Sequence, residues 1–389
     1  MIRKQRLFTP GPTPLLPAAQ RAMAAAEVHH RTDDFRKAFR AVLDDLKYFY
    51  GTANDVILFS SSGTGAMEAS VTNCFSPGDR VLVAACGKFG ERWVELARAY
   101  GLEAEVVSAP YGQAVAPEAV AGKLRSGEFR GFFTQATESS TGVAHDVRRF
   151  AEAARGAPGD PLVIVDAITG LGTSHLEIDG WGLDIVIGGS QKALMTPPGL
   201  AFASVSARAW QRMETARLPR YYFDFRKERK AAQSGEASWT PATALVLGLA
   251  EALRYVRQLG RENLIANAQL LAAATRAGVT ALGLKLFAPA SPCAALTAVA
   301  APEGIESTAI IKEMRSRFGI SMANGQGSMK GQLFRLAHLG YYDFPETVAA
   351  LAALEITLKS MNLPVELGAG VRAAQESWIQ GAASAEAAS

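Results

Sequence analysis

Three short stretches of this 389-residue chain place reactive side chains directly after apolar runs. In DIVIGGSQKALMTPPG, residues 184–199, the run leads through Gly188, Gly189, Ser190 and Gln191 to Lys192. A lone lysine is ordinarily a surface residue. One with small residues before it and apolar residues after it is a candidate for desolvation, which makes the amine a nucleophile toward carbonyls. In PLVIVDAITGLG, residues 161–172, Asp166 closes an apolar run. A carboxylate there either caps the next turn or meets a buried cation, and capping is the commoner use. In SSSGTGAMEA, residues 60–69, a Ser/Gly turn opens a helix. Free N–H groups at Gly63, Thr64 and Gly65, with the helix dipole behind them, suit a phosphate. An ordinary capped strand-to-helix turn explains the same stretch equally well. It is a poor dinucleotide fingerprint, because the third-glycine position is Glu68.

Together the three stretches describe what pyridoxal 5′-phosphate (PLP) requires: a helix N-terminus for its phosphate, an acid for its pyridine nitrogen and an amine for its aldehyde. No single stretch decides this. Their order and spacing in one chain carry the reading.

The elements that must position these residues alternate. Apolar runs at 56–59, 80–84, 105–107, 131–134, 162–165, 183–188 and 200–205 are expected strands. Helices are expected at 17–23, 32–50, 64–74, 90–100, 117–125 and 147–155. Alternation over this length implies an α/β fold with a mostly parallel sheet sandwiched by helices. Thr240 before Pro241 reads as the N-cap of a long helix over 241–259. The texture then changes. Helices at 261–277, 305–318 and 345–361, with strands at 295–299 and 333–337, suggest a smaller C-terminal α+β domain. The expected division is an extended segment 1–16, a large domain 17–258 and a small domain 259–389, its tail beyond about Ala373 a frayed helix or disordered.

The chain resembles the class V aminotransferases of PLP fold type I, in the alanine–glyoxylate/serine–pyruvate group. The resemblance runs from FTPGPTP (8–14) to FRLAHLG (334–340), through SSGTGAMEA, ESSTGV, VDAITGLG and GSQKALMTPPG. It implies that Lys192 holds PLP as a Schiff base and that Asp166 pairs with the protonated pyridine nitrogen. Ser139 would bond near the ring's phenolic oxygen, and Phe89 would stack on the ring. Gln191 and the turn Ser62, Gly63, Thr64, Gly65 would hold the phosphate. Arg335 would bind the substrate carboxylate, and Gly11 would line the substrate pocket. The family builds each active site from both subunits of a homodimer, and Thr240 in EASWTP (236–241) is the expected contribution across it. Two departures stand out: Phe89 replaces the Trp of some members, and Trp239 and Thr240 stand where some members have Tyr and Thr. Each assignment has a plainer alternative. Phe89 could be core, Ser139 a turn cap, and Arg335 the partner of a protein carboxylate.

The implied reaction is transfer of an amino group from alanine or serine to glyoxylate or pyruvate. A 2-aminoethylphosphonate–pyruvate-type transaminase is an alternative, its phosphonate site taken from the cluster Arg226–Lys230, which otherwise reads as a solvated loop or helix face. A lyase or desulfurase is disfavoured, since Gln191 and not His precedes Lys192 and no cysteine lies in the loop before Arg335. A non-catalytic PLP-fold subunit of a larger complex is a further reading, against which Lys192, Asp166 and Arg335 stand together. His29, His30 and His338 read as structural.

Composition narrows the classes. Apolar residues make up 49% and charged residues 20%, with a net charge of +3 and interspersed signs, so no nucleic-acid partner is indicated. Cys74, Cys86 and Cys293 show neither disulfide nor zinc spacing, which fits a cytoplasmic protein without a metal. The N-terminus has no apolar leader, and no membrane helix is expected.

Overall fold

The computed structural model describes residues 2–388, and their side chains through residue 383. The seven apolar runs pair into one sheet in the order Asp55–Phe59, Ala201–Val205, Ile185–Gly189, Leu162–Asp166, Gly131–Gln135, Arg80–Ala85, Glu103–Ser108. Only Ala201–Val205 runs antiparallel to its neighbours. Leu162–Asp166 and Ile185–Gly189 are buried at every position, as strands covered by helices on both faces must be. The expected α/β fold with a mostly parallel sheet is what the chain forms.

The covering helices carry their own start and stop signals. Asp33–Tyr50 begins at Thr32, whose hydroxyl accepts from Phe35 N at 3.3 Å, and ends at Gly51 in the left-handed region. Its apolar stripe, Phe35, Phe39, Val42 and Leu46, is buried on the sheet.

A second sheet has the order Arg6–Phe8, Ile320–Asn324, Leu333–Ala337, Leu296–Ala300. It has its own core, to which Phe8, Leu271, Ile310, Phe334 and Leu354 belong. The opening segment is therefore more than an extended lead: Arg6–Phe8 is an edge strand parallel to Ile320–Asn324. Neither strand stands out in the sequence because each is short, three and five residues.

One other expectation changes and two are narrowed. The long helix is Thr243–Leu259, because Ala242 leaves the helical region at φ −74° and ψ 78° and is its N-cap residue, its N donating to Ser60 Oγ at 3.1 Å; Thr240 lies ahead of it and is exposed. The basic cluster lies on a helix, Phe225–Gln233, capped by Asp224, with Phe225 and Glu228 buried. The tail forms the helix Ala369–Ala388, docked through buried Ala374 and through Trp378, which stacks on Phe344 at 4.5 Å.

Candidate active site

Five strands end on one edge of the large sheet, and a residue singled out by its chemistry lies at or just beyond each end. Phe59 leads to the Ser62–Gly65 turn, Ala85 to Phe89, Gln135 to Glu138 and Ser139, and Gly189 to Lys192; Asp166 ends its own strand. The carboxyl edge of an open parallel sheet is where such folds bind ligands.

Lys192 is held from below and above. Its Nζ donates to the carbonyl oxygen of Pro10 at 2.5 Å. Thr13, fully buried, donates from N to Gln191 O at 3.2 Å and from Oγ1 to Lys192 O at 3.0 Å. The opening Pro-Gly-Pro segment is thus stapled over the lysine loop. A Cβ at Gly11 would lie 2.5 Å from Lys192 Nζ and 2.8 Å from Cε, and the φ of Gly11 is +147°. Only glycine lets the lysine lie along this backbone. Loss of water around the amine, with the Arg335 and Arg92 charges adding, lowers the Lys192 pKa to about 8 against the opposing pull of Asp166.

Asp166 is buried, and its Oδ1 accepts from Ile168 N at 2.9 Å. The carboxyl therefore does cap its turn, as the plainer reading had it, and it also feels the lysine. Burial, aided by Glu138, raises its pKa to about 6, while Ile168 N, Lys192 and Arg92 pull it down.

The helix Gly63–Cys74 starts at Ser62, whose side chain makes no cap bond. Among the described residues the N–H groups of Gly63 and Thr64 meet no acceptor, as expected for the first positions of a helix, whereas Gly65 N, expected free, donates to Ser62 O at 2.9 Å. A Cβ at Gly63 would lie 2.2 Å from Ile168 Cδ1, so a side chain here would have to displace the end of Ile168 in the turn after Asp166. Gln191, beside Lys192, has a buried side-chain oxygen with no partner.

Phe89 is positioned by a residue to which sequence reasoning gave no role. Glu138, fully buried, accepts from Phe89 N and Gly90 N at 3.0 Å each through Oε2, and from Ser140 Oγ at 2.6 Å through Oε1. It caps the helix Lys88–Ala99, and burial raises its pKa. Arg92, one turn on from Phe89, lies with its guanidinium 4.9 Å from that ring's centroid and donates to Thr64 Oγ1 at 3.2 Å. The spacing of Phe89 and Arg92 was readable as one helix face.

Arg335 is buried on the strand Leu333–Ala337. Its fork donates to Ser139 O at 2.6 Å and to Asn324 O at 2.6 and 3.2 Å. No carboxylate lies within ion-pair distance of it among the described residues. Loss of water lowers its pKa to about 10 despite the field of Glu138. Ser139 meets Arg335 through its carbonyl, and its hydroxyl is unbonded among the described residues. Thr240 makes no hydrogen bond to any of these groups.

The thiols do not belong to this constellation. Cys74, Cys86 and Cys293 are buried, and burial raises the pKa of each, that of Cys293 to about 11. His338 sits between Thr297 Oγ1 and Thr275 Oγ1 with its pKa lowered to about 3 by burial. No cluster able to hold a metal occurs among the described residues.

The family model of aminotransferase class-V matches residues 18–341. The chain belongs to the class V aminotransferases. It is therefore an enzyme that transfers amino groups, with amino acids and keto acids as substrates. It is 33% identical to an L-aspartate–glyoxylate aminotransferase of Paracoccus denitrificans over 99% of both chains. It is 41% identical to the soluble hydrogenase 42 kDa subunit of Anabaena cylindrica, over 96% of this chain and 98% of that one. Its fold matches a crystal structure of an aspartate aminotransferase of subgroup IV from Thermus thermophilus with a TM-score of 0.85 and 36% identity, over 92% of this chain and 99% of that one.

Membership in the class V aminotransferases implies pyridoxal phosphate, and the residues present fit it. A desolvated amine, a buried carboxyl at a strand end and two free N–H groups at a helix start converge on one sheet edge. No helix among the described residues is long and apolar enough to cross a membrane.

Proposed function

We propose that this protein is a PLP-dependent aminotransferase that moves the amino group of a small amino acid, alanine or serine, to glyoxylate or pyruvate. The observation that carries the reading is Arg335: a buried guanidinium whose charge acts on Lys192, held only by carbonyl oxygens, with no protein carboxylate of its own. A buried cation of this kind is completed by an anion, and an amino acid or oxo acid brings one.

Lys192 Nζ would hold the cofactor through its aldehyde carbon, and Asp166 would pair with the pyridine nitrogen. Ser62, Gly63, Thr64, Gly65 and Gln191 would hold the phosphate, and Phe89 would cover the ring. When bound, PLP supplies an electrophilic carbon and an electron-withdrawing ring. Arg335 grips the substrate carboxylate with its planar fork and so turns the amine toward Lys192. Once the substrate amine has taken its place, Lys192 Nζ moves the Cα proton; an amine whose pKa is near 8 is suited to both accept and return it. Glu138 keeps Phe89 in place through two backbone N–H groups. A homodimer in which Thr240 reaches the neighbouring cradle, in the cytoplasm, completes the proposal; the exposure of Thr240 supports this.

Donor and acceptor are tested with the purified protein and PLP: 2-oxo acid formation from L-alanine, L-serine and L-aspartate, each with glyoxylate or pyruvate. Aspartate is included because two relatives are named for it. Turnover with alanine or serine supports the proposal; turnover with aspartate alone overturns the donor choice.

The 2-aminoethylphosphonate reading gains no support from Arg229. Arg229 of the basic cluster pairs with Asp55 at 2.9 Å, at the amino end of the strand Asp55–Phe59 and so on the far edge of the sheet. Service as a subunit of a larger assembly is favoured by the hydrogenase name of one relative. The convergence of Lys192, Asp166 and Arg335 supports catalysis over that role.

A further inference from the structure

The cradle assigned to the cofactor phosphate is electrically neutral. Ser62, Gly63, Thr64, Gly65 and Gln191 offer dipoles and hydrogen bonds but no charge. A phosphate monoester carries roughly −1.5 to −2 at neutral pH, and a helix N-terminus supplies only about half a positive charge. Lys192 and Arg335 are committed elsewhere, to the aldehyde and to the substrate.

Arg92 stands where a countercharge is missing. Its Nη1 donates to Oγ1 of Thr64, the second residue of the cradle helix, at 3.2 Å. Its guanidinium lies 4.9 Å from the Phe89 ring centroid, so it borders both the phosphate end and the ring end of the site. The residue is half-buried and forms no ion pair among the described residues, and the bond to Thr64 is the only hydrogen bond its side chain makes there. The acid beside it, Glu91, is occupied by Lys88 at 2.6 Å and by the Tyr111 hydroxyl. Most of the N–H donors of the fork therefore remain free. The Arg92 charge also reaches the reacting groups, where it acts on both Lys192 and Asp166.

We propose that Arg92 is the cation that neutralises the phosphate of the bound cofactor, a cofactor-binding residue contributed by the helix after Phe89. The proposal rests on the PLP reading given above. Arg92 needs only to turn its free donors from the Thr64 hydroxyl toward the helix start to meet a phosphate oxygen. Its contact with the Phe89 ring, 4.9 Å from guanidinium carbon to centroid, limits how far it swings.

The experiment compares PLP with pyridoxal, which lacks the phosphate. Dissociation constants are measured on cofactor-free wild type, Arg92→Gln, Arg92→Lys and Phe89→Leu, by quenching of protein fluorescence, with folding checked by circular dichroism. The expected result is that Arg92→Gln weakens PLP about 10- to 100-fold and leaves pyridoxal unchanged, that Arg92→Lys restores part of the loss, and that Phe89→Leu weakens both ligands. Inorganic phosphate should compete with PLP on the wild type and much less on Arg92→Gln. Equal losses for PLP and pyridoxal in Arg92→Gln would make Arg92 a mere support for Phe89 and Thr64 and overturn the proposal, as would no loss at all. A folded wild type that takes up neither ligand overturns the cofactor reading itself, an outcome distinct from either.

Discussion

Arg335 Nη1 donates to the carbonyl oxygen of Ser139 at 2.6 Å, a contact between residues 196 apart in sequence. It joins the small sheet to the turn beyond the large sheet, and with Asn324 O it fixes the plane of the guanidinium. The same two carbonyls that hold the fork leave its charge unneutralised.

Replacing Arg335 by Lys should therefore raise KM for both amino donor and oxo acceptor by about 100-fold, with PLP affinity unchanged. Steady-state kinetics over both substrates, alongside a cofactor titration, check this. A loss confined to PLP affinity would reassign the residue.

Gly11→Ala places a methyl group 2.5 Å from Lys192 Nζ at a φ of +147°. The lysine must move, so cofactor occupancy after purification should fall well below that of the wild type, while the melting temperature of the cofactor-free protein drops by only a few degrees, on the order of 1 kcal/mol. Absorbance per subunit and a thermal melt give the two readouts.

The lowered pKa of Lys192 sets a pH window for cofactor uptake. Only the neutral amine attacks an aldehyde, so the rate of PLP attachment should rise with pH and level off above about 8. The linkage has the same origin. Below pH 8 the charged amine is a cost to the folded cofactor-free protein, and the cost is relieved as pH rises from 8 toward the ordinary lysine value of 10.5. Stopped-flow mixing across about pH 6.5–9.5 should show a single rise; a flat profile would contradict a desolvated amine.

Glu228 is buried under the segment that carries Thr240, where Ser238 N donates to its carboxylate at 3.1 Å. Burial raises its pKa to about 7 from 4.5. The folded state thus binds this proton more tightly than the unfolded chain, and the associated stability, complete below pH 4.5, is lost as pH rises through 7. Glu228→Gln, which keeps an acceptor for Ser238 N, should match the wild type at pH 5 and exceed it at pH 8 by roughly 1–3 kcal/mol. Denaturant titrations at the two pH values decide it.

Much of this was legible in the sequence because its signals are local. Thr32, the stripe from Phe35 to Leu46 and Gly51 are read within one helix, and Asp166 and Lys192 stand at the ends of runs whose apolar character is itself the signal of a covered strand. The parts that were not legible are long-range. That Arg6–Phe8 pairs with Ile320–Asn324 depends on residues more than three hundred positions apart, and the strands are only three and five residues long. Glu138 carries no role in the sequence, because its partners, Phe89 N and Gly90 N, are about fifty residues upstream. Thr240 reads as an N-cap because Thr-Pro is a valid start signal; the helix starts at Thr243 because Ala242, whose N donates to the Ser60 hydroxyl of another element, has a non-helical ψ of 78°.

The most direct test of the central claim, that Lys192 holds PLP and passes an amino group through it, is the visible spectrum of the protein with PLP before and after L-serine or L-alanine, with no oxo acid present. The account predicts a band from the lysine-bound cofactor that is bleached by one of these amino acids, with release of the matching 2-oxo acid in no more than one equivalent per subunit, and no such band from Lys192→Ala. A folded wild type that takes up PLP but shows no lysine-bound band, or a band equally present in Lys192→Ala, would contradict it.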